Sequence, residues 1–116
     1  MKLNKITIAP INVKKMVQFY NAVFDTNLKP FEAIGTTFYN GQLAGIDLLF
    51  CPNEILDIKA EKNRQQLSFV VEDIKAVIQK VQANGGGLMG ELQEGAQGKA
   101  CGVTDPDGNS IELVEL

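Results

Sequence analysis

One supersecondary pattern occurs twice along this chain, and the repeat limits the folds open to it. The segment Asn12–Lys14 aligns with Asp73–Lys75, and Gly45–Leu49 aligns with Ser110–Val114. An internal repeat of this kind indicates two copies of one unit, each too small to close a core alone. The sequence predicts a single domain over residues 1–116, with repeat one at about 1–52, a linker at about 53–64 and repeat two at about 65–116.

The first repeat predicts one helix among four strands. Apolar residues at positions 13, 16, 17, 20, 23 and 24 form one stripe of a helix over about 12–24, with Asn12 as its N-cap. Apolar patterning predicts strands near residues 3–10, 29–34, 36–40 and 43–51. Asn40-Gly41 favours a hairpin turn, because both residues tolerate a positive φ. The order of elements is therefore βαβββ.

The second repeat predicts the same order. A strand over 66–72 leads to a helix that Asp73 caps and that the run Gly85–Gly87 ends. Strands follow near 88–92, 98–104 and 109–115, and the tight turn Asp105–Gly108 separates the last two. Two such units predict an α+β fold.

The strands present one side to the helices and the other side away from them. Alternation places the following residues on the sides away from the helices: Lys5, Thr7, Asp47, Leu49, Gln66, Ser68, Val70, Glu112 and Val114. These faces mix charged and apolar side chains, so they suit a ligand-binding cleft. Phe31 and Phe38 lie on neighbouring short strands, where alternation leaves open whether they stack on a ligand or pack in a core or dimer interface.

The composition excludes several classes of function. The chain has no histidine, which removes the usual Ser-His-Asp and Cys-His machinery and metal sites built on imidazole. Arg64 is the only arginine and the formal net charge is −3, so no nucleic-acid partner is expected.

Hydropathy and cysteine usage bear on location. The chain has no apolar run long enough to span a membrane, and its first residues lack the apolar segment of a signal peptide. Cys51 and Cys101 are too few for a disulfide scaffold and too far apart for a CxxC motif. The sequence therefore predicts packed, reduced thiols in a cytoplasmic protein with no membrane partner.

Several segments together resemble one protein family. They are Ile6–Ile8, Asn12–Lys15, Phe19-Tyr20, Val23-Phe24 and the closing run Asp105–Leu113. In these segments the chain resembles the vicinal oxygen chelate superfamily, which includes glyoxalase I, extradiol dioxygenases, fosfomycin-resistance proteins and bleomycin-resistance binders. The resemblance implies βαβββ units whose curved mixed sheets form open half-barrels around a pocket, and it implies a homodimer.

The resemblance also implies where metal-dependent members hold a divalent ion. The four positions fall on Lys5, Asp47, Gln66 and Glu112. Only Glu112 keeps a ligand type of the family, and a protonated lysine cannot ligate a metal. We therefore expect the metal site to be lost, with the Lys5 ammonium between Asp47 and Glu112 in its place. The alternative is a structural ion pair, or a solvated lysine that meets neither carboxylate.

The leading hypothesis for function is a metal-independent protein that binds a small molecule in the sheet cleft. Its ligand-binding residues would be Lys5, Thr7, Phe31, Phe38, Asp47, Leu49, Gln66, Ser68 and Glu112. One alternative is a lyase or isomerase of the glyoxalase I type, with Mn²⁺, Mg²⁺ or another divalent ion on Asp47, Glu112 and Gln66. A second is a metal-free enzyme with Glu112 or Asp47 as base and Lys5 as electrophile. A third is a vestigial pocket in a dimeric interaction module.

Overall fold

The computed structural model describes residues 1–60 and 65–116. They group into two compact units, Met1–Lys59 and Ala60–Leu116, whose boundary lies within the predicted linker. The elements of the first unit are β1 (Lys5–Ile8), α1 (Val13–Phe24), β2 (Lys29–Ala33), β3 (Thr36–Leu43), β4 (Ile46–Phe50) and the short helix α2 (Asn53–Leu56). The linker was predicted without structure, so α2 is an addition to the prediction.

The four strands of the first unit form one mixed sheet in the order β1-β4-β3-β2. β1 runs parallel to β4, whereas β3 is antiparallel to both of its neighbours. A parallel pair needs a long crossover connection, and α1 begins that connection immediately after β1. This topology places α1 on one side of the sheet.

Helix α1 is held to the sheet by its predicted apolar stripe. Met16, Phe19, Tyr20 and Val23 are buried, and the Tyr20 ring meets the Phe50 ring edge-on with 5.7 Å between centroids. Asn12 is the N-cap residue of α1, as predicted, but its side chain makes no capping hydrogen bond to the first turn. The helix therefore owes its position to packing more than to capping.

The predicted hairpin turn at Asn40-Gly41 is wrong, because both residues lie inside β3. The turns occur instead at Ile34-Gly35 and Ala44-Gly45, where all four residues have a positive φ. Gly41 serves a different purpose: a Cβ at this position would overlap the carbonyl oxygen of Thr26. That carbonyl accepts a hydrogen bond from the backbone N–H of Gln42 at 2.9 Å.

The second unit repeats this topology. Its elements are β5 (Leu67–Val70), α3 (Ile74–Ala83), β6 (Gly87–Leu88), β7 (Gln93–Gly95), β8 (Gly98–Thr104) and β9 (Ser110–Glu115). The sheet order is β5-β9-β8-β6, with β7 also paired to β8 and with β5 parallel to β9. The predicted α+β class and the two βαβββ-like modules are confirmed, although the strand predicted over 88–92 is replaced by two short strands, β6 ending at Leu88 and β7 beginning at Gln93.

Two carboxylates fix the ends of elements in the second unit. Asp73 caps α3 as predicted, accepting a hydrogen bond from the N–H of Ala76 at 3.2 Å. Asp105, only 2% exposed, accepts hydrogen bonds from the backbone N–H groups of Asp107 and Asn109 and from the Asn109 side chain. The predicted turn before β9 is therefore built around one buried carboxylate.

Among the helices of the described residues, none is long and apolar enough to cross a membrane.

Candidate functional site

The face of the first sheet that points away from α1 carries the predicted polar residues of the first repeat. In the parallel β1–β4 pair, Lys5 is the register partner of Asp47, and Thr7 is the partner of Leu49. Register partners project to the same side of a sheet, so all four side chains share one face, as alternation predicts. This face is called the open face of the first unit below.

The two phenylalanines lie on the same open face. Asn40 pairs with Leu49 across β3–β4, and Phe38 lies two residues before Asn40 on β3. Phe31 is the register partner of Phe38, and their rings stack with centroids 5.4 Å apart and planes 20° from parallel. Phe38 is buried at 7% exposure, whereas Phe31 remains 39% exposed. The orientation that alternation left open is thus settled by register.

A shallow depression lies on the open face of the first unit. Its volume is about 290 Å³. The lining residues are Lys5, Phe31, Asn40, Gly41, Asp47, Leu48 and Leu49. Four of the predicted ligand-binding residues therefore line one depression, together with Asn40, which was not predicted.

The charges in this depression are close in the sheet but not joined. Among the described residues, no carboxylate oxygen lies within 4.0 Å of the Lys5 ammonium nitrogen, the distance that defines an ion pair. This holds although Asp47 is the register partner of Lys5. The Asp47 carboxylate instead accepts a hydrogen bond from the side-chain amide of Gln42 at 3.2 Å. Sequence reasoning missed Asn40 and Gln42 because the misplaced turn cut β3 short. Alternation along an uninterrupted β3 would have placed both beside Phe38.

The second unit has an equivalent open face, on the side of its sheet away from α3. Ser68 is the register partner of Glu112 across the parallel β5–β9 pair. The Ser68 hydroxyl donates a hydrogen bond to Glu112 Oε1 at 2.6 Å, and the Gln66 amide donates one to Ser110 Oγ at 2.5 Å. The three predicted residues of this repeat are therefore near one another, and side-chain hydrogen bonds join β5 to β9.

A smaller depression of about 180 Å³ lies on this second sheet. The lining residues are Gln66, Glu91, Gln93, Ala100, Cys101, Gly102 and Glu112. Glu91 and Gln93 were missed, because the sequence pattern placed one continuous strand where β6, a turn and β7 occur. Period-two alternation cannot locate a strand as short as β7.

The two thiols are separate from any disulfide. Cys51 and Cys101 are both free and buried. Burial raises the pKa of the Cys101 thiol, because the thiolate would lose its hydration. A raised pKa favours the inert thiol, which agrees with the packed cysteines predicted from the sequence.

The four positions that the resemblance assigns to a metal ion carry two carboxylates, one neutral amide and one cation. Each unit offers one carboxylate, Asp47 or Glu112, and the register partner of Asp47 is a lysine. Gln66 contributes only a neutral amide, and its nitrogen is engaged with Ser110. No group of three His, Cys, Asp or Glu side chains suited to holding a metal occurs in the described parts of the chain. The expected position of Lys5 between Asp47 and Glu112 joins residues of both units and stays a prediction.

Comparison with known families gives one match over nearly the whole chain. Residues 2–113 match the model of the "Glyoxalase/Bleomycin resistance protein/Dioxygenase superfamily". None of the curated proteins matches the sequence significantly.

Solved structures with the same fold are numerous and distant in sequence. A glyoxalase-related enzyme from Fulvimarina pelagi superposes with a TM-score of 0.79 at 18% identity, covering 100% of this chain and 88% of its own. A glyoxalase/bleomycin resistance protein/dioxygenase family enzyme from Burkholderia phytofirmans PsJN superposes with a TM-score of 0.77 at 17% identity, and the match covers 99% of this chain and 98% of that one. The fosfomycin resistance protein FosX from Listeria monocytogenes superposes with a TM-score of 0.69 at 15% identity, and the match covers 100% of this chain and 92% of that one. At these identities the likeness concerns the fold.

Proposed function

This chain belongs to the glyoxalase/bleomycin resistance protein/dioxygenase superfamily, and we propose that it binds a small molecule on the open faces of its sheets without a metal ion. The observation that carries the proposal is the depression of the first unit. It combines an ammonium group, a carboxylate, an amide and an exposed aromatic ring around about 290 Å³. Ligand sites generally pair an apolar lining with a few convergent polar groups.

Metal independence rests on the charge of the residue beside Asp47. Lys5 takes the place that a neutral or anionic ligand would need, and its ammonium repels a cation. Mg²⁺ completes its shell of oxygen ligands with water, and one or two carboxylates can hold it when no cation lies beside them. Because an ammonium lies beside Asp47, we assign the charged residues to ligand recognition.

Retention of a small molecule tests this function directly. The purified protein would be incubated with a small-molecule extract, desalted in EDTA and examined by native mass spectrometry. We expect a bound mass that survives EDTA, is lost in Lys5→Met and is kept in Lys15→Met, which alters an exposed lysine of α1. No bound mass, equal retention by both variants, or binding that requires a divalent ion would overturn the proposal.

A second candidate is a metal-free enzyme, and one contact favours it. The Ser68 hydroxyl donates a hydrogen bond to Glu112 Oε1. Among the described residues, the other carboxylate oxygen, Oε2, accepts no hydrogen bond. Since Glu112 lines the second depression, Oε2 can accept a proton from a bound carbon acid. The test is NMR detection of deuterium exchange into a retained ligand in D₂O. Exchange that is absent from the wild type, or unchanged in Glu112→Gln, would rule out this base.

The oligomeric state and location belong to the same proposal. We expect a homodimer in the cytoplasm, where free Cys51 and Cys101 stay reduced. Light scattering of the purified protein at micromolar concentration measures the dimer. A monomer mass across that range would contradict it.

A further inference from the structure

Resting on the proposed function, we infer the class of ligand that the first unit takes: a small aromatic compound that carries a carboxylate and a protonated amine on neighbouring atoms. The inference comes from three features of the open face of the first unit. They are the stacked phenylalanines, the lysine and the carboxylate beside it.

The aromatic part of the ligand follows from Phe31. One face of the Phe31 ring is covered by Phe38, at 5.4 Å and nearly parallel, while Phe31 keeps 39% of its surface exposed at the edge of the depression. Phe38 beneath it is buried, so the pair forms a backed platform. Aromatic rings prefer offset-stacked or edge-on partners, and the exposed part of the Phe31 ring at the depression can take one.

The charged part follows from Lys5 and Asp47. As register partners on adjacent parallel strands, their backbones lie about 4.8 Å apart. They form no ion pair within the described part of the chain, since Gln42 holds the Asp47 carboxylate instead. A carboxylate on the ligand satisfies Lys5, and an ammonium on the ligand satisfies Asp47.

The two charges also select against other anions. A phosphate dianion at Lys5 would be repelled by the neighbouring Asp47 carboxylate, whereas a zwitterion keeps the site neutral. A compound with only one charge can form an ion pair with Lys5 or with Asp47, but not with both. An aromatic α-amino acid has both charges on one carbon, which matches the spacing of adjacent strands.

The volume agrees with a single-ring ligand. A cavity of about 150 Å³ can hold a benzene molecule. The depression of about 290 Å³ therefore has room for one ring and an amino-acid head, and the amide of Asn40 is part of its lining. Leu49 supplies apolar contact on the same face.

Calorimetric titration with L-phenylalanine and three partial analogues tests the inference. The analogues are 3-phenylpropionate without the amine, phenethylamine without the carboxylate, and L-alanine without the ring. We expect L-phenylalanine to bind at least tenfold more tightly than any of them, since each charge-assisted bond is worth about tenfold or more. Equal binding of L-phenylalanine and 3-phenylpropionate would overturn the role of Asp47.

Variants assign the contacts. Lys5→Gln should weaken the binding of L-phenylalanine and of 3-phenylpropionate at least tenfold and should not weaken that of phenethylamine. Asp47→Asn should weaken the binding of L-phenylalanine and of phenethylamine and should not weaken that of 3-phenylpropionate. Phe31→Leu should weaken all ring-bearing probes. Lys15→Gln on α1 is the matched control. All of these side chains are exposed, and circular dichroism checks that each variant folds.

The outcomes separate this inference from the proposed function. If the protein retains a mass from the extract but none of the four probes binds, the ligand class is wrong and the binding function stands. If neither the extract nor any probe is bound, both are wrong. Binding of L-phenylalanine that Lys5→Gln and Asp47→Asn leave unchanged overturns the assignment of this site, and the retention test with Lys5→Met then decides the proposed function.

Discussion

The main chain of Gly41 in the middle of β3 lies directly against the carbonyl oxygen of Thr26, in the loop after α1. No side chain fits between them. The adjacent Gln42 N–H donates a hydrogen bond to the same oxygen at 2.9 Å, so the loop is fixed to β3 at this point. Asn21 secures the loop from the helix side by accepting hydrogen bonds from Thr26 and from the N–H of Leu28.

Gly41→Ala should therefore destabilise the protein. The added methyl group has to displace the Thr26 carbonyl, and overpacking of this kind costs about 1–3 kcal/mol. Urea unfolding measures the change in the free energy of unfolding. Gly90→Ala is the control, because a Cβ there meets nothing within 4 Å. Equal stability of the two variants would contradict the close approach.

Ile34→Asn should stabilise the protein. Ile34 has a φ of 51° at the β2–β3 turn, a conformation unfavourable for a β-branched residue, and its side chain is 83% exposed. Asparagine tolerates this conformation and creates the Asn-Gly pair typical of such turns, so we expect a gain of about 1 kcal/mol. Ile11→Asn, at an exposed position without a positive φ, should show no gain in the same thermal unfolding experiment.

The turns at Ile34-Gly35 and Ala44-Gly45 show which parts of the fold the sequence could predict. Helix stripes and strand alternation depend on local patterns that tertiary packing reinforces, so α1, α3 and the faces carrying Lys5 and Glu112 were predicted. Asn40-Gly41 is a strong local turn signal. The structure instead needs a glycine at position 41 because the carbonyl oxygen of Thr26, which is distant in sequence, lies against it. The real turns use Ile34 and Ala44, which carry no turn signal of their own. The error hid Asn40 and Gln42 from the candidate site.

Asp105→Asn should destabilise the second unit. The buried carboxylate accepts three hydrogen bonds that hold the turn before β9. An amide turns one acceptor into a donor facing other donors, which costs about 1–3 kcal/mol. Chemical denaturation measures the loss. The exposed Glu91→Gln is the comparison and should leave stability within about 0.5 kcal/mol of the wild type.

Stability should fall at alkaline pH because of Cys101. Burial raises its pKa in the folded state, so the folded protein holds the thiol proton more tightly than the unfolded chain does. This contribution is complete below the unfolded thiol pKa of about 8.5 and is lost as pH rises from there through the folded value. Unfolding free energies measured from pH 7 to 9.5 should decline less in Cys101→Ala than in the wild type. Parallel declines would assign the loss to other groups.

The two repeats differ in how their first strand is fastened. In the second unit, the Ser68–Glu112 and Gln66–Ser110 hydrogen bonds tie β5 to β9 through side chains. β1 and β5 each lie at the edge of their own sheet, but in the first unit Lys5 and Asp47 form no such contact. Amide hydrogens of β1 should therefore exchange with solvent faster than those of β5 in the unliganded protein. A ligand that bound both Lys5 and Asp47 would join β1 to β4. Slower amide exchange in the four residues of β1 would then detect binding without any label on the ligand.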